Sequence, residues 1–195
     1  AQITGLMTGP LAVNCYIIVT EQKNAVAIDV GGSVEKVLQY LKENDLQLKK
    51  ILLTHGHYDH IGGVAELQAA TGATVYIHEA DAPMLSDNVL NLAQWIVAEP
   101  VVAPVTDYEI LQDGDVIVQD ECMFHVLHTP GHTKGSVCYQ MEHTLFTGDT
   151  LFRLSRGRTD FPGGSDDELY ASLQRLKQLD GDYDVLPGHN ETSTL

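Results

Sequence analysis

The sequence predicts an α/β fold in which two β-sheets pack together and helices cover their outer faces. The main observation is the order of the segments, which run as strands, helices, strands, a helix and a final strand. The 195 residues, 44% of them hydrophobic, can bury a sizeable core, so we expect residues 1–195 to form one domain. We find no internal repeat, low-complexity tract or long linker that would divide the chain.

The first half of the chain alternates between strand and helix patterns. Short runs rich in β-branched residues predict strands, and apolar residues at helical spacing predict helices, with Ser33 as the N-cap of the first. In chain order these are a hairpin over residues 15–20 and 25–30, a helix over 33–44, a strand over 50–54, a helix over 64–72 and a strand over 73–78.

The second half begins with a predicted helix over residues 80–98, with Pro83 in its first turn and Trp95 on its apolar side. Two prolines predict an irregular connection over residues 99–110. The remaining elements are strand pairs over 116–129 and 136–148, the second with a turn at Glu142 and His143, a helix from Ser165 that opens with a capping box to Glu168, and a last strand over 184–189.

The polar residues that carry chemistry all follow predicted strand ends. The strand over residues 50–54 leads into THGHYDHIGG, and three later strands each deliver one histidine or aspartate beside a glycine or proline. Loops on a rigid scaffold are where functional sites usually lie. The seven residues are His55, His57, Asp59, His60, His132, Asp149 and His189.

Metal binding explains these residue types better than ordinary packing does. Imidazole and carboxylate groups suit zinc, iron and manganese, and packing them together without a metal would leave charges and donors poorly compensated. Seven ligands exceed the need of one tetrahedral ion but suffice for two ions that share a bridging carboxylate. Four other histidines lack such grouping and are interpreted as ordinary residues: His78, His125, His128 and His143. His128 lies four residues before His132, so an alternative is that it supports that ligand through a hydrogen bond.

Composition argues against several other functions. A formal charge of −16 repels phosphate backbones, so we expect no nucleic-acid partner. No apolar run approaches the roughly 18 residues of a membrane span, so we expect no membrane partner. The three cysteines, Cys15, Cys122 and Cys138, are expected to be buried apolar residues, and together with an N-terminus unlike a signal peptide they favour the cytoplasm.

The motifs THGHYDHIGG, TPGHTKGSV, TGDTLF and LPGH, in this order and spacing, resemble the metallo-β-lactamase superfamily over residues 9–189. The resemblance implies a four-layer αβ/βα sandwich with a metal site at one edge between the sheets. It assigns His55, His57 and His132 to a first metal, and a second trio of ligands to the other: Asp59, His60 and His189. Asp149 would bridge both ions together with a water or hydroxide, and Asp59 would also act in catalysis. We expect two divalent ions, zinc first, with iron and manganese as alternatives.

The stretch GDTLFRLSRGRTDFPGG, residues 148–164, narrows the resemblance to compact glyoxalase II-like hydrolases. This implies a small, anionic thioester substrate such as an S-2-hydroxyacylglutathione, cleaved through a metal-bridging hydroxide. Arg158 matches a substrate-binding position, unless it is a loop arginine paired with Asp160; Arg153 and Arg156 are weaker candidates of the same kind.

Other members of the superfamily remain alternatives. GRTDF also recurs in persulfide dioxygenases, which would hold one iron through His55, His132 and Asp149; a lactonase or a non-catalytic binding module are further possibilities. The chain departs from the family pattern at Val30 and Asn190, where proline and glycine are usual. We also expect the chain to lack the helical C-terminal domain with which full glyoxalase II binds glutathione.

Overall fold

Two six-stranded sheets form the centre of the structure, a computed structural model that describes residues 1–96 and 102–195. The first sheet has the order β1-β2-β3-β4-β5-β6, with antiparallel pairing from β1 to β3 and parallel pairing from β3 to β6. Its strands are β1 (Gln2–Thr8), β2 (Val13–Val19), β3 (Asn24–Ile28), β4 (Gln47–Leu52), β5 (Thr74–His78) and β6 (Glu109–Leu111).

The remaining strands are β7 (Val116–Gln119), β8 (Cys122–His128), β9 (Val137–Met141), β10 (Thr144–Gly148), β11 (Leu151–Phe152), β12 (Ser155–Arg156), β13 (Asp184–Pro187) and β14 (Ser193–Thr194). The second sheet has the order β14-β13-β10-β9-β8-β7, whereas β11 and β12 form a separate small hairpin. Within the second sheet β10 and β13 are parallel neighbours, so their carboxyl ends lie side by side.

The helices are α1 (Val34–Glu43), α2 (Tyr58–Ile61), α3 (Val64–Thr71), α4 (Ala93–Ile96) and α5 (Asp166–Lys177), together with a 3₁₀-helix over Glu79–Leu85. None of them, within the described ranges, has the length and apolar run needed to cross a bilayer.

Alternate residues of the first sheet face two different cores. Ile17 packs in the cluster that contains Val37 of α1, whereas its neighbour Ile18 packs with Phe124 and Tyr139 of the second sheet. Since successive side chains of a strand point to opposite faces, the first sheet is covered by helices on one side and by the second sheet on the other. This confirms the predicted packing of two sheets with helices outside.

Most predicted elements are confirmed within a few residues, including the hairpin of β2 and β3, the pairs β7–β8 and β9–β10, and strand β13. The turn between β9 and β10 contains Glu142, whose φ of 52° is left-handed. The Ser165 hydroxyl accepts a hydrogen bond from the backbone N–H of Glu168, which is one half of the predicted capping box. The Ser165 N–H donates to the Gly131 carbonyl at 2.9 Å rather than to the Glu168 side chain, so the reciprocal half is not formed. Strands β1, β6 and β14, the β11–β12 hairpin and the short helix α2 were not predicted.

The prediction that Ser33 caps the first helix is wrong. Ser33 precedes α1, but its φ of 49° is left-handed and its side chain makes no bond to the helix. Its hydroxyl instead accepts a hydrogen bond from the backbone N–H of Gly9. Ser33 therefore connects the start of α1 to the β1–β2 loop.

The prediction of one helix over residues 80–98 is also wrong for the described part, and its last two residues lie outside that part. The segment forms the 3₁₀-helix, which contains Pro83, then turns, then the single turn α4. Trp95 is 75% exposed and does not lie on an apolar side. The irregular connection predicted over residues 99–110 is confirmed for 102–108; residues 99–101 are not described, and β6 begins at Glu109.

The three cysteines are buried and unpaired, as expected. Burial raises the pKa of the Cys138 thiol to about 11. Cys138 therefore remains protonated near neutral pH and acts as a small apolar core residue.

Candidate metal centre

The seven predicted side chains lie together at one edge of the two sheets. His55 and His57 follow β4, and Asp59 and His60 lie in the short helix α2. The other sheet supplies its residues from the β8–β9 loop, the end of β10 and the end of β13, namely His132, Asp149 and His189. The sequence prediction that four strand ends deliver these residues to a single place agrees with this geometry.

The ligand atoms fall into two groups, within each of which they lie no more than 4.8 Å apart. The first group is His55, His57 and His132, and the second is Asp59, His60, Asp149 and His189.

Asp149 lies between the two groups. One of its carboxylate oxygens, Oδ2, is 3.4 Å from His132 Nε2, and the other, Oδ1, is 3.2 Å from His60 Nε2. The carboxylate thus reaches a member of each group with a different oxygen, which is the geometry that a bridging ligand requires.

Several polar atoms of the centre are buried without a hydrogen-bond partner among the described residues: His55 Nε2, His57 Nε2, His60 Nε2 and Asp149 Oδ1. Buried polar atoms are normally paired, because leaving one unpaired costs free energy. Imidazole nitrogens and carboxylate oxygens are the usual ligands of zinc and of similar divalent ions. The residues present therefore fit a pair of divalent cations.

Asp29 fixes the orientation of the histidines that follow β4. Its Oδ2 lies 2.8 Å from His60 Nδ1 and accepts a hydrogen bond of 2.7 Å from the Thr54 hydroxyl. Because that hydroxyl donates to Asp29, it can accept from His55 Nδ1, which is 3.1 Å away. Both histidines then carry the proton on Nδ1 and present the lone pair of Nε2 to the centre.

His132 is oriented by the main chain at Arg158. Its Nδ1 lies 2.7 Å from the carbonyl oxygen of Arg158, which can only accept a hydrogen bond. His132 Nε2 is therefore the unprotonated nitrogen, and it lies 3.1 Å from His57 Nδ1 in the first group.

Asp81 joins the two loops that carry the first group, and sequence analysis missed it. It is 1% exposed, and its carboxylate accepts hydrogen bonds from the backbone N–H groups of Gly56 and Gly135 and from the Thr133 hydroxyl, at 2.7–3.0 Å. Gly56 lies between His55 and His57, and Thr133 follows His132. The signal of Asp81 in the sequence was its place just after a predicted strand end, which a single aspartate shares with many ordinary loop residues.

Sequence analysis also did not single out Asp29, which precedes the unusual residue Val30. The backbone N–H of Val30 donates a hydrogen bond to the His60 carbonyl at 2.9 Å, which a proline could not do. The second unusual residue, Asn190, has a φ of 68°, a conformation that glycine adopts freely and asparagine tolerates.

Gly188 allows the two sheets to approach the centre closely. A Cβ atom at this position would lie 2.5 Å from His60 Cε1 and 2.7 Å from Asp149 Oδ1. Any side chain there would displace ligands of the second group, so the LPGH motif needs its glycine for space.

The protonation equilibria of the centre depend on burial and on the neighbouring charges. Burial and the adjacent His132 lower the pKa of His57 to about 3. Burial alone would raise the pKa of Asp149, but His60, His132 and His189 outweigh it and hold that pKa below its usual range. The carboxylate is therefore ionised and the His57 imidazole neutral at pH 7, as metal ligands must be.

A cleft of about 640 Å³ opens onto the centre. Its walls include five of the predicted metal ligands, among them His57 and Asp59. They also include apolar side chains and two arginines: Leu92, Phe152, Phe161, Arg156 and Arg158. Arg158 lies with its guanidinium 4.1 Å from the centre of the Phe161 ring and binds both oxygens of Asp160 at 2.6 Å. Arg158 thus lines the cleft and is paired with Asp160, so both interpretations of this residue have a geometric basis.

The other histidines lie apart from the ligand groups. The rings of His78 and His128 stack with centroids 4.1 Å apart, and His128 Nε2 donates to the carbonyl of Lys134 at 2.8 Å. His125 lies in β8 and His143 in the β9–β10 turn.

Two packed sheets with a buried cluster of histidines and aspartates at one edge define a protein of the metal-binding α/β class. The sequence model of the metallo-beta-lactamase superfamily matches residues 8–189, and the chain belongs to this superfamily. The predicted fold class is thereby confirmed.

Two bacterial relatives cover nearly the whole chain. "Hydroxyacylglutathione hydrolase GloC" of Haemophilus influenzae is 36% identical over 93% of this chain and 87% of its own length. "Probable metallo-hydrolase YqgX" of Bacillus subtilis is 36% identical over 96% of this chain and 90% of its own.

Three solved structures resemble the present one. The BLEG-1 B3 metallo-beta-lactamase has a TM-score of 0.94 and 34% identity, over 99% of this chain and 94% of its own. TTHA1623, solved in a di-iron-bound form, has a TM-score of 0.86 and 37% identity, over 98% and 94%. ETHE1 from Myxococcus xanthus has a TM-score of 0.80 and 30% identity, over 100% and 80%.

Proposed function

We propose that the protein is a binuclear metal-dependent hydrolase of thioesters such as S-2-hydroxyacylglutathione. The observation that carries the proposal is the pair of complete ligand groups that Asp149 joins at the base of the cleft. The similarity to the hydroxyacylglutathione hydrolase GloC supports the choice of a thioester. Zinc remains our first expectation, and the di-iron-bound neighbour makes iron a specific alternative.

The metal ions, held by the two groups, would lower the pKa of a bound water from about 15.7 toward 7 and polarise the thioester carbonyl. Asp59 lies in the wall of the cleft, and its Oδ2 is 2.9 Å from His189 Nε2. We assign to Asp59 both a ligand role and the orientation of the attacking water. The departing thiol has an ordinary pKa of about 8.5, so it can leave as a thiolate without a dedicated acid.

The walls of the cleft position the substrate. The Phe161 ring packs edge-on to His57 with centroids 5.7 Å apart, and Leu92 and Phe152 add further apolar surface. We assign Arg158 to the recognition of an anionic group on the substrate. Since its guanidinium is bound by Asp160, a substrate carboxylate would compete with Asp160 for the same donors.

The proposal is tested by hydrolysis of S-lactoylglutathione by the purified, metal-loaded protein. We expect turnover by the wild type and its loss in the His57→Ala variant, whereas His143→Ala, an exposed histidine outside the ligand groups, is the matched control and should keep full activity. Turnover by metal-free protein, or by His57→Ala at the wild-type rate, would refute the mechanism. A lactone and a β-lactam are tested on the same preparation. If either is hydrolysed faster than S-lactoylglutathione, the protein is a different hydrolase of the superfamily.

A second candidate is persulfide dioxygenation at one iron held by His55, His132 and Asp149. The ETHE1 neighbour and the GRTDF motif favour this alternative. Oxygen uptake on glutathione persulfide with one iron per chain would support it, and two metals without oxygen uptake would exclude it. The complete second group, with His189 and Asp59 2.9 Å apart, is the reason to prefer hydrolysis.

A further inference from the structure

A second cavity, of about 890 Å³, adjoins the cleft of the metal centre. Its walls come from β1, the β1–β2 loop, β2 and the β13–β14 segment. The two cavities share three lining residues, Leu11, His189 and Asn190. We call the second cavity the β1 groove; it is continuous with the cleft at a predicted metal ligand.

The β1 groove exposes large apolar side chains. Met7 is 63% exposed, Leu11 45% and Ile3 37%, and all three line the groove together with Leu186. Exposed apolar side chains that cluster in a concavity beside a reaction centre mark a ligand-binding surface more often than scattered ones do.

Among the residues that the structure describes, the only basic side chain that lines the β1 groove is the predicted metal ligand His189. Within the same part of the chain, neither lysine nor arginine lines the groove, and its only carboxylate is Asp184. The polar groups of two lining residues are engaged within the protein: the Tyr16 hydroxyl donates to the Pro187 carbonyl, and the Asn14 amide donates to the carbonyls of Pro187 and Asn190.

The arginines lie elsewhere. Arg156 and Arg158 line the cleft but not the groove, and each is paired with an acidic side chain, as is Arg153. The two cavities that meet at His189 therefore differ in charge. A ligand that spans both would have an uncharged, apolar arm on the groove side.

We propose that the β1 groove binds an uncharged, largely apolar arm of the thioester substrate. The substrate class is then an acyl thioester with a long flexible arm that carries no charge, on either the acyl or the thiol side of the reacting bond. This inference rests on the proposed thioester hydrolysis and adds the specificity of the same site.

Gly5→Leu tests the groove directly. Gly5 lies in β1 and lines the groove, and a Cβ there would contact the Tyr16 ring at 3.6 Å, an ordinary distance. The leucine therefore enters the groove without backbone strain. Val118→Leu on the exposed surface of the second sheet is the matched control, and the thermal midpoints of both variants verify folding.

The kinetic experiment makes two comparisons. Lactoyl and octanoyl thioesters of N-acetylcysteamine differ in the acyl arm, and lactoyl thioesters of N-acetylcysteamine and of pantetheine differ in the thiol arm. In the wild type we expect kcat/KM to rise by about fourfold for each methylene that enters the groove. Gly5→Leu should remove this gain, whereas the control Val118→Leu should keep it and should turn over lactoyl-N-acetylcysteamine at the wild-type rate. A loss confined to the octanoyl series identifies the acyl arm, and a loss confined to pantetheine identifies the thiol arm. Equal rates across both series in wild type and variant would overturn the inference while leaving thioester hydrolysis intact.

Binding separates the two proposals when no thioester is cleaved. S-octyl-N-acetylcysteamine is a thioether with no reactive carbonyl, and its binding is measured by calorimetry. Binding to the wild type and to Val118→Leu, but not to Gly5→Leu, supports the groove even if hydrolysis fails. Absence of binding to the wild type overturns it.

Discussion

Hydrogen bonds on the far side of three histidines determine which ring nitrogen faces the centre. Asp29 sets His60 directly and His55 through the Thr54 hydroxyl, and the Arg158 carbonyl sets His132. These contacts prepare the unprotonated nitrogens before any metal binds, which limits the reorganisation that binding requires.

The ligands could be predicted from the sequence because four of them fall within six residues and the others sit in short glycine-containing motifs. Asp29 and Asp81 could not be identified in the same way, because a single aspartate carries no spacing pattern. Their roles follow only from the folded geometry. Asp81 joins the loop that carries His57 to the loop that carries His132, and these two histidines are 75 residues apart in the sequence.

We predict that Asp81→Asn weakens metal binding. The amide replaces one acceptor oxygen with a donor that faces the N–H of Gly56 or Gly135, so one of these groups loses its partner. Loss of such a supporting contact typically costs roughly 10- to 100-fold in metal affinity. Metal titration of the purified variant measures the effect.

Glu79→Gln is the control for this variant, because Glu79 lies in the same 3₁₀-helix but is exposed and bonds only Gln112 among the described contacts. Equal metal affinity in Asp81→Asn and Glu79→Gln would contradict the role assigned to Asp81.

The elements with strong periodicity were predicted, and those set by side-chain bonds to the main chain were not. In the segment predicted as a helix over 80–98, Asp87 accepts from the backbone N–H groups of Val89 and Leu90, and the Asn91 amide donates to the Met84 carbonyl. Such local bonds replace helical ones and favour turns. Leu92 then adopts a φ of 69°, which no helix contains.

Strand β1 was missed for a different reason. Exposure alternates along the strand, but its apolar residues Ile3, Leu6 and Met7 do not alternate with polar ones, so the sequence lacks the strand pattern. The strand is defined by its pairing with β2 along its whole length, from Gln2 opposite Val19 to Thr8 opposite Val13. That contact is not visible in the composition of β1 itself.

Replacing the N-cap of α5 should destabilise the protein without changing its chemistry. The Ser165→Ala substitution removes the acceptor for the Glu168 N–H, which costs about 1 kcal/mol and lowers the thermal midpoint by about 2 to 4 °C. Ser33→Ala is the comparison and should have a smaller effect, because the Ser33 side chain makes no bond to its helix and accepts only the exposed N–H of Gly9. Thermal unfolding of both variants measures the effect. An unchanged midpoint in Ser165→Ala would show that the α5 cap is not a stabilising contact.

The whole molecule places its ligands by bringing two sheets together. The first sheet supplies His55 and His57 after β4, and the second supplies Asp149 after β10 and His189 after β13, so neither sheet alone contains either complete group. The order of the strands and the spacing of the motifs predicted this architecture. The β1 groove beside the centre was not predicted, because strand β1 forms one of its walls and was itself missed.

Because the ligands span both sheets, metal binding should stabilise the whole fold. Ions that bind the folded chain only add about 2.7 kcal/mol at a free concentration 100 times the dissociation constant, which raises the thermal midpoint by about 5 to 10 °C for a chain of this length. Calorimetry with and without a chelator measures the difference. An identical midpoint in both conditions would contradict the placement of the ions between the sheets.

The most direct test of the central claim is the metal content of the purified wild-type protein after equilibration with zinc, manganese or iron(II), measured by elemental analysis. Two ligand groups joined by Asp149 predict two ions per chain, and a fall below two in the Asp149→Asn variant. A single ion or none in the wild type with every metal, or two ions retained unchanged in Asp149→Asn, would contradict the account.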